Sequence, residues 1–471
     1  MSREGRVRWA TWTAALALTV SGCQRIKTET AATLRCPGCN VMLISIDTLR
    51  ADHLGAYGYS RSTSPELDRF AREAVLFEQC INTGGGTLPV HASMLTSLPP
   101  TEHGVWAGSG RVLDERRVTL AEQLQAAGYQ TRGFTGGGFV RATFGLSQGF
   151  DSFYDEGGDF AVELPLLQHW LEHERIPDRK FFIFLHTYDV HSSNRRLPYD
   201  HPEDFNRKFT ANYHGPFDGC RWGLCGSLLL EHYNSLVVSG RLRPEDAFAD
   251  TDVEYMRGLY DGGISYMDRE LAKLFTRLRQ LGLLDRTLIV FTADHGEEFL
   301  EHHLFLHHQN AEETARVPLL IRFPHAAQGG RHVGQLISTL EVMPTILDIV
   351  GVPPNREVEG RTLLPMLERG AKGLDFIYLA AATPKVRTLS WSMFMGPGGI
   401  PESLYDLAHD PGETQNVLAL RPHVVQALLA LATGERARQL KVALALERTS
   451  SDTPELSPED RQKLRALGYA H

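Results

Sequence analysis

The chain has 471 residues, a formal net charge of −9 at pH 7 and 42% apolar residues. Its length exceeds that of one ordinary compact domain, and its apolar fraction is that of a globular protein with a sizeable core. The negative charge argues against nucleic acid as a partner. We therefore expect one large globular domain and a smaller one.

The N-terminus has the layout of an export signal. Three arginines precede a short apolar run, WATWTAALALTV, which is too short to span a bilayer. Cys23 follows Val-Ser-Gly, which resembles a bacterial lipobox. We predict a signal peptide over 1–22, a lipidated Cys23 with a tether over 23–38, and an exported protein anchored in the bacterial cell envelope, at the outer membrane. A noncleaved anchor or a plain secretory signal is the alternative.

Export permits disulfides, and five cysteines follow the signal. Cys220 and Cys225 flank a short loop and are predicted to pair. Cys36 and Cys39 form a CPGC motif that lacks a matching second pair, so a local disulfide or two unused thiols are expected rather than a metal knuckle. Cys80 is left over and is expected to be buried.

Apolar, β-rich runs alternate with helical periodicity along most of the chain. The runs typical of buried strands are NVMLISI, FFIFL, TLIVFTA and VPLLIRF, and the helical patterns are SPELDRFAREAVLF, VTLAEQLQAAGYQTRGFTGG, DGGISYMDRELAKLFTRLRQLG and STLEVMPTILDIVGV. The second helical pattern is expected to end near Gly128 and to be followed by a strand. This alternation predicts an α/β fold with a mostly parallel sheet covered by helices on both faces. Beyond residue 371 short strand patterns predict a small antiparallel sheet, followed by a charged helical tail.

Carboxylates and imidazoles follow three of the predicted strands. Asp47 follows the first, His186, Asp189 and His191 follow FFIFL, and Asp294 and His295 follow TLIVFTA. The carboxyl ends of parallel strands meet at one edge of a sheet, where α/β proteins bind ligands. Carboxylate and imidazole together suit a divalent cation. We therefore predict that Asp47, Asp294 and His295 hold a metal.

The stretch GGGTLPVHASMLTSL, residues 84–98, predicts a helix whose N-terminus carries a hydroxyl. Pro89 suits the first turn of a helix, and a helix N-terminus favours an anion. A hydroxyl beside a metal loses its proton more readily, so Thr87 is a predicted metal-contacting nucleophile. A simple N-cap role for Thr87 is the alternative.

These segments resemble the sulfatase family of the alkaline phosphatase superfamily. The similarity lies in NVMLISIDTLRADHLGAYGY, TLPVHASMLTSLPPTEHGV, VFTADHGEEFLEH, ETARVPLLIRFP and SLYDLAHDPGETQN, which occur in the family's order. The resemblance implies an alkaline-phosphatase-like fold with a catalytic domain over 39–370 and a smaller antiparallel subdomain over 371–430. A helical tail over 431–471 follows.

The resemblance also implies roles for single residues. The three residues predicted above to hold the metal match metal ligands of the family, and Thr87 matches the nucleophile. His191 matches the histidine that protonates the leaving group. His91 stands where an arginine is usual and is expected to face the anion. His307 or His308 stands near the residue that holds the ester oxygens, and we prefer His308.

The chain departs from the family pattern at the nucleophile. Formylglycine sulfatases carry Cys or Ser in a C-x-P-S-R pattern, where this chain has TLPVH, and Thr48 replaces a second aspartate. A threonine has an extra methyl group on Cβ and cannot become that aldehyde, so no formylglycine is expected. One divalent cation is expected, Ca, Mn or Zn, with a second cation at Asp189, His191 and His308 as the alternative.

The resulting hypothesis is a metal-dependent hydrolase of sulfate esters or related phosphate or phosphonate esters, with Thr87 as the nucleophile. Its partner is an anionic ester, on a glycan or a lipid, together with the membrane that holds the lipid anchor. One alternative is a catalytically silent envelope protein that binds anionic glycans or lipid headgroups. Another is a headgroup transferase, but that family carries several membrane-spanning helices, a pattern this sequence does not show.

Overall fold

The computed structural model describes residues 34–106, 112–381, 383–445 and 461–462. The chain from residue 34 onward forms one compact unit. The predicted signal peptide, Cys23 and the first part of the tether lie outside the described residues, as does most of the predicted tail beyond residue 445. Within the described ranges, none of the helices combines the length and apolar character needed to cross a bilayer.

Sixteen strands lie in the described part of the chain. In order they are β1 (Asn40–Ile46), β2 (Val75–Ile81), β3 (Gln130–Phe134), β4 (Ser152–Tyr154), β5 (Phe181–Thr187), β6 (Cys220–Arg221), β7 (Leu224–Cys225), β8 (Thr287–Ala293), β9 (Glu298–Phe299), β10 (Phe305–Leu306), β11 (Arg316–Arg322), β12 (Arg331–Ser338), β13 (Ile377–Leu379), β14 (Lys385–Arg387), β15 (Trp391–Met395) and β16 (Pro401–Asp406).

Twelve α-helices lie in the same ranges. They are α1 (Pro65–Arg72), α2 (Thr87–Thr96), α3 (Pro100–His103), α4 (Leu120–Ala126), α5 (Phe160–His169), α6 (Glu203–Lys208), α7 (Gly226–Val238), α8 (Asp250–Gln280), α9 (Glu312–Ala315), α10 (Val342–Val350), α11 (Leu364–Arg369) and α12 (Pro422–Ala445).

An eight-stranded sheet forms the centre of the molecule, in the order β12-β2-β11-β8-β1-β5-β3-β4. Strand β11 is antiparallel to both of its neighbours, and every other pairing in this sheet is parallel. Every residue of β1, β5 and β8 is buried, as their continuous apolar runs predict. Helices α1, α5 and α8 pack together, as do α2, α4 and α10, and these two groups cover the sheet.

A second, smaller sheet follows the large one along the chain. Strands β13 to β16 pair antiparallel in sequence order. Val386, Met393 and Leu404 of this sheet share a small core with Leu428 on α12. The predicted fold class is therefore confirmed in both of its parts. The predicted subdomain boundary at residue 430 falls inside α12.

Three strands of the large sheet, β2, β4 and β12, were not predicted. The pattern SPELDRFAREAVLF predicts one helix, but α1 ends at Arg72 and β2 starts at Val75. Strand β12 mixes polar and apolar residues because it lies at the edge of the sheet, where half-exposed positions alternate with buried ones.

The structure confirms the predictions on the five cysteines that follow the predicted signal peptide. Cys220 and Cys225 form a disulfide that joins β6 to β7. Cys36 and Cys39 are also bonded to each other, which selects the local disulfide over two free thiols. Cys80 is a free, buried thiol on β2.

Candidate metal and nucleophile site

The loops after β1 and β8 bring Asp47, Asp294 and His295 together at the carboxyl edge of the sheet. One ligand atom from each of these side chains lies within 4.8 Å of the other two, and all three side chains are buried. The two strands are direct neighbours in the sheet, which explains why their following residues meet.

The donor atoms of this cluster fit a divalent cation. Asp47 Oδ1 and Asp294 Oδ2 are buried and accept no hydrogen bond. Nδ1 of His295 donates to the Gly296 carbonyl oxygen at 3.0 Å, so the neutral ring keeps its lone pair on Nε2, which lies 3.3 Å from Asp294 Oδ2. Two orphaned carboxylate oxygens and one imidazole nitrogen therefore face the same space.

The electrostatics of the two carboxylates point the same way. Burial raises the pKa of Asp47 well above its ordinary value, and the nearby charge of Asp294 raises it further. Burial also acts to raise the pKa of Asp294, but His295 and His91 outweigh this effect and leave it below its ordinary value. The negative charge of Asp294 opposes ionisation of Asp47. A cation bound between the two carboxylates would remove this repulsion.

The three glycines before Thr87 shape the start of α2. Gly84, Gly85 and Gly86 have φ values of 76°, 95° and 85°, a left-handed run that residues with a Cβ rarely adopt. Helix α2 begins directly after Gly86, and Pro89 lies in its first turn as predicted. The N-terminus of a ten-residue helix is thereby aimed at the cluster.

Thr87 itself contacts the predicted metal ligands. Its hydroxyl donates to Asp47 Oδ2 at 3.3 Å, and Oγ1 lies 3.1 Å from His295 Nε2. The residue is 4% exposed and is thus largely shielded from bulk solvent. The structure therefore brings the predicted nucleophile and the predicted metal ligands into one group.

Histidines surround the two carboxylates. In the described part of the chain the side chains within ion-pair distance of Asp47 or Asp294 are all imidazoles, those of His91, His186, His191 and His295. Nδ1 of His191 donates to the Ser192 carbonyl oxygen at 2.6 Å, and its Nε2 lies 4.0 Å from Asp47 Oδ1. Burial lowers the pKa of His191 to about 4.

The structure places His307, and not the preferred His308, beside the cluster. The His307 ring is stacked on the His295 ring with centroids 4.4 Å apart and lies 5.2 Å from the His191 ring. The His308 side chain is 43% exposed and turns toward Glu231, with Nε2 3.2 Å from Oε2. The two rings are nearly parallel with centroids 6.2 Å apart, and the conformation of the loop after β10 decides which of them reaches the cluster.

His91 occupies a different position from the one expected of it. Its Nδ1 donates to the Thr87 carbonyl oxygen at 2.8 Å, and its Nε2 accepts from Ser45 Oγ at 2.9 Å. The side chain is fully buried. Both ring nitrogens are thus engaged by protein atoms, so His91 holds the first turn of α2 instead of facing an anion.

Among the described residues, Asp189, His191 and His308, which were the alternative site for a second cation, do not form a cluster. Asp189 Oδ2 accepts from the Phe160 amide at 3.1 Å and from Thr187 Oγ1 at 2.9 Å, which directs it to the start of α5. Burial raises the pKa of Asp189 to about 7. A capping role at α5 accounts for this residue.

His186, at the end of β5 and expected at this edge of the sheet, lies 3.4 Å from Asp47 Oδ2 through its Nε2. Glu297 and Tyr199 were not predicted from the sequence. Glu297 accepts from Tyr199 at 2.7 Å and lies 3.2 Å from His307 Nδ1. The signal for Glu297 was its position two residues after His295. Nothing local marks Tyr199, because it reaches the site from a loop far along the chain.

Thr48 stands where the resembling family usually has a second aspartate. It has φ 58°, which is rare for a β-branched residue, and its amide donates to Asp294 Oδ1 at 3.3 Å. The residue therefore supports Asp294 through its backbone, and its side chain adds no carboxylate to the cluster.

Comparisons with known proteins identify the family. The sulfatase family model matches residues 39–352. Arylsulfatase K of Bos taurus is 32% identical over 199 residues, which cover 38% of this chain and 36% of that protein. The chain therefore spans little more than a third of the length of that relative.

Other relatives match over more of their length. The multifunctional alkaline phosphatase superfamily protein PehA of Trinickia caryophylli is 28% identical over 405 residues, 70% of this chain and 77% of that protein. The N-acetylglucosamine-6-O-sulfatase of Bacteroides thetaiotaomicron is 24% identical over 461 residues, 80% of this chain and 82% of that protein.

Solved structures share the fold. The phosphonate monoester hydrolase of Agrobacterium radiobacter superposes with a TM-score of 0.68 at 23% identity, covering 88% of this chain and 97% of that one. Because the family model spans β1, α2 and β8, the match covers the residues of the candidate site. This chain belongs to the sulfatase family.

Proposed function

We propose that the chain is a metal-dependent hydrolase of sulfate esters, or of related phosphate or phosphonate esters, with Thr87 as its nucleophile. The observation that carries the proposal is the position of Thr87 Oγ1, 3.3 Å from Asp47 Oδ2 and 3.1 Å from His295 Nε2 at the start of α2. Similar proteins named as sulfatase and phosphonate monoester hydrolase support an anionic ester as the substrate.

The residues that would hold the cation are Asp47, Asp294, His295 and Thr87. Their two orphaned carboxylate oxygens and the imidazole Nε2 suit Mn or Zn, and the oxygen donors also suit Ca. When bound, a divalent cation would lower the pKa of the Thr87 hydroxyl and offset the negative charge of the ester oxygens.

The residues of the chain supply the remaining steps. Thr87 releases its hydroxyl proton to solvent, and Oγ1 forms a bond to sulfur or phosphorus as the bond to the leaving oxygen breaks. Burial keeps His191 neutral in the free protein, and the negative charge of the bound ester favours its protonated form, which gives that oxygen a proton. His191 then takes a proton from the water that attacks the same centre, which returns the Thr87 oxygen. Because threonine forms no aldehyde, release depends on this second attack.

His307 takes the position that we assign to contact with the ester oxygens. It is stacked on His295, and its Nδ1 lies 3.2 Å from Glu297 Oε2, which fixes the orientation of the ring. Tyr199 in turn donates to Glu297 at 2.7 Å. A ring held by two packed neighbours presents its other nitrogen without loss of rotamer freedom on binding.

The proposal is tested by hydrolysis of matched nitrophenyl esters by the metal-reconstituted protein. The panel contains a sulfate, a phosphate monoester, a phosphodiester and a phosphonate, each measured with wild type and Thr87→Ala. Turnover of one class that is lost in Thr87→Ala supports the proposal and identifies the bond. Turnover retained in Thr87→Ala excludes Thr87 as the nucleophile, and metal binding without any turnover favours an envelope protein that binds anionic groups.

We also propose that the protein is exported and anchored to the bacterial envelope through a lipid on Cys23. The proposal rests on the basic, apolar and Val-Ser-Gly-Cys segments of the first 23 residues. Metabolic labelling with a fatty acid should mark the wild-type protein and leave Cys23→Ala unmarked. Equal labelling of both forms would remove Cys23 as the acceptor.

A further inference from the structure

Two histidines form an exposed pair at the end of α5. The helix ends at His169 and continues into a π-helical turn, Trp170–Glu174, which carries His173. Trp170 of this turn packs edge-on against Phe181, the first residue of β5, with ring centroids 5.8 Å apart. The pair therefore lies at the amino-terminal edge of the large sheet, whereas the proposed catalytic metal ligands follow the carboxyl ends of β1 and β8.

The two imidazoles of the pair are close enough to share one ion. Their ring centroids are 4.9 Å apart, and each side chain is 62% exposed. Histidines at positions i and i+4 lie on the same face of a helix, and this spacing allows both rings to bind one zinc ion. With Zn–N distances of about 2.1 Å and tetrahedral angles, two bound rings have centroids about 5 Å apart. The observed separation of His169 and His173 therefore suits a chelating pair.

The carboxylates beside the pair favour a cation. His169 Nε2 lies 3.5 Å from Glu174 Oε1, and His173 Nε2 lies 3.7 Å from Glu172 Oε2. Such contacts between solvent-accessible groups contribute little free energy, so a bound cation replaces them at small cost. Arg277 donates to the other oxygen of Glu172 at 2.7 Å. The negative charge that a cation would meet is therefore mainly that of Glu174.

Glu174 is not neutralised by a basic side chain in the described part of the chain. Its side chain is 54% exposed, and no described arginine or lysine lies within ion-pair distance of it. The next residue, Arg175, donates from Nε to the Leu171 carbonyl oxygen at 3.4 Å and from Nη1 to the Pro177 carbonyl oxygen at 2.8 Å. The guanidinium beside the pair is thus engaged by backbone oxygens.

The sequence of this turn also matches a zinc-binding spacing. HWLEH, residues 169–173, has the His-x-x-Glu-His order of one class of zinc peptidases. Peptidase chemistry needs a third protein ligand and a glutamate that acts as a base. Among the described residues, the groups of three ligand atoms within 4.8 Å of one another lie elsewhere, and Glu172 is held by Arg277. The pair therefore offers two protein ligands, with the remaining positions open to water.

We propose that His169 and His173 form a second cation site, which binds Zn²⁺, Ni²⁺ or Cu²⁺ through two imidazole nitrogens. Imidazole suits these cations, whereas Ca²⁺ and Mg²⁺ prefer oxygen ligands. The site lies at the opposite edge of the large sheet from Thr87, so it goes beyond the proposed function and does not depend on it. An ion held there links the last turn of α5 to the π-helical turn.

The site is tested by equilibrium dialysis against Zn²⁺, which counts the ions bound per chain over a range of free Zn²⁺. We expect wild type to bind one ion that His169→Ala and His173→Ala each bind roughly 100-fold more weakly, because a two-ligand chelate exceeds a single ligand by about that factor. His332→Ala is the matched control. That histidine is also exposed, at 55%, and has a carboxylate neighbour, Glu78, so its loss should leave Zn²⁺ binding unchanged.

A further variant separates this ion from one at the candidate active site. Asp294→Asn should keep the ion that is weakened in His173→Ala, since Asp294 lies at the other edge of the sheet. The inference is overturned if His169→Ala or His173→Ala binds Zn²⁺ as wild type does, or if Asp294→Asn loses that same ion. Loss of hydrolysis in Asp294→Asn with the His173-dependent ion retained would support both sites as separate.

Discussion

Asp47 and Asp294 are two neighbouring buried carboxyl groups whose hydrogen bonding is incomplete. Both are fully buried, and each has one oxygen that accepts no hydrogen bond. Burial raises the pKa of Asp47, and repulsion by the neighbouring Asp294 carboxylate raises it further. The same arrangement that destabilises the metal-free protein thus prepares it to bind a cation.

Replacing Asp47 by Asn separates the destabilising effect of the buried carboxyl group from its contribution to cation binding. In the metal-free protein we expect Asp47→Asn to have a melting temperature equal to or above that of wild type, because one buried acid is removed. Added Mn²⁺ should then raise the melting temperature of wild type and not of the variant. A variant that is less stable without metal and still stabilised by Mn²⁺ would contradict the assignment. Glu66→Gln serves as the control, because this carboxyl on the first turn of α1 is partly exposed and already pairs with Arg69.

The two adjacent histidines give a second test at this scale. We expect His307→Ala to lower kcat/KM by roughly 100-fold, since it removes a fixed group beside the ester oxygens. His308→Ala should have a much smaller effect, because its side chain turns toward Glu231. Steady-state kinetics on the ester identified by the nitrophenyl panel decides between them, and a larger loss in His308→Ala would reverse the assignment.

At the scale of elements, a buried ion network holds β14 of the small sheet against α9. Lys385 is fully buried, with Nζ 3.2 Å from Glu312 Oε1 and 2.9 Å from Glu413 Oε1. Arg387, two residues along β14, reaches Glu312 at 3.1 Å. Helix α9 also supports the loop after β8 that carries His295, because the Gly296 amide donates to the Thr314 carbonyl oxygen at 3.0 Å.

Removing Lys385 should therefore be costly. We expect Lys385→Met to lower the free energy of unfolding by roughly 3–5 kcal/mol, because it leaves the buried Glu413 carboxylate without its ion-pair partner and leaves Glu312 with Arg387 alone. Lys372→Met is the control: that lysine is 80% exposed and pairs only with exposed Asp375, so its loss should cost less than about 1 kcal/mol. Urea unfolding of both variants measures the difference, and equal losses would show that the network contributes little.

The sequence predicts the elements that are buried on both faces better than the others. Strands β1, β5 and β8 are uninterrupted apolar runs, and the polar residues after them identify most of the site. Strand β2 merges with the helical pattern before it, because a short apolar run has the same local signature in a helix and a strand. The positions of His307 and Tyr199 depend on loop register and on long-range packing, which local patterns do not encode.

At the scale of the whole molecule, buried titratable groups set the pH dependence of stability. Burial raises the pKa of Glu102 and of Glu341 to about 8, so above their ordinary pKa the unfolded chain releases protons that the folded protein keeps. Burial lowers the pKa of His103 to about 3 and of His201 to about 4, so below about pH 6.5 the unfolded chain takes up protons that the folded protein does not. Stability therefore decreases in both directions from mildly acidic pH.

We expect the free energy of unfolding to be largest between about pH 5 and 6.5 and to decrease toward pH 8. Glu341→Gln should reduce the decrease on the alkaline side, because Gln keeps an acceptor for the Ser338 amide and has no proton to lose. Chemical unfolding at a series of pH values measures this. If the free energy of unfolding decreases equally with pH in wild type and in Glu341→Gln above about pH 6.5, Glu341 does not cause the alkaline loss of stability.

The central claim, that Thr87 is the nucleophile, predicts a covalent sulfuryl or phosphoryl group on its oxygen. With a nitrophenyl ester the leaving group departs without a proton, so His191→Ala should slow the second step more than the first and allow the adduct to accumulate. The most direct measurement is peptide mass spectrometry of metal-loaded His191→Ala quenched during turnover. The account predicts the adduct on the peptide that contains Thr87 and its absence in the Thr87→Ala, His191→Ala double variant. Turnover without an adduct at Thr87, or with one on another residue, would contradict it.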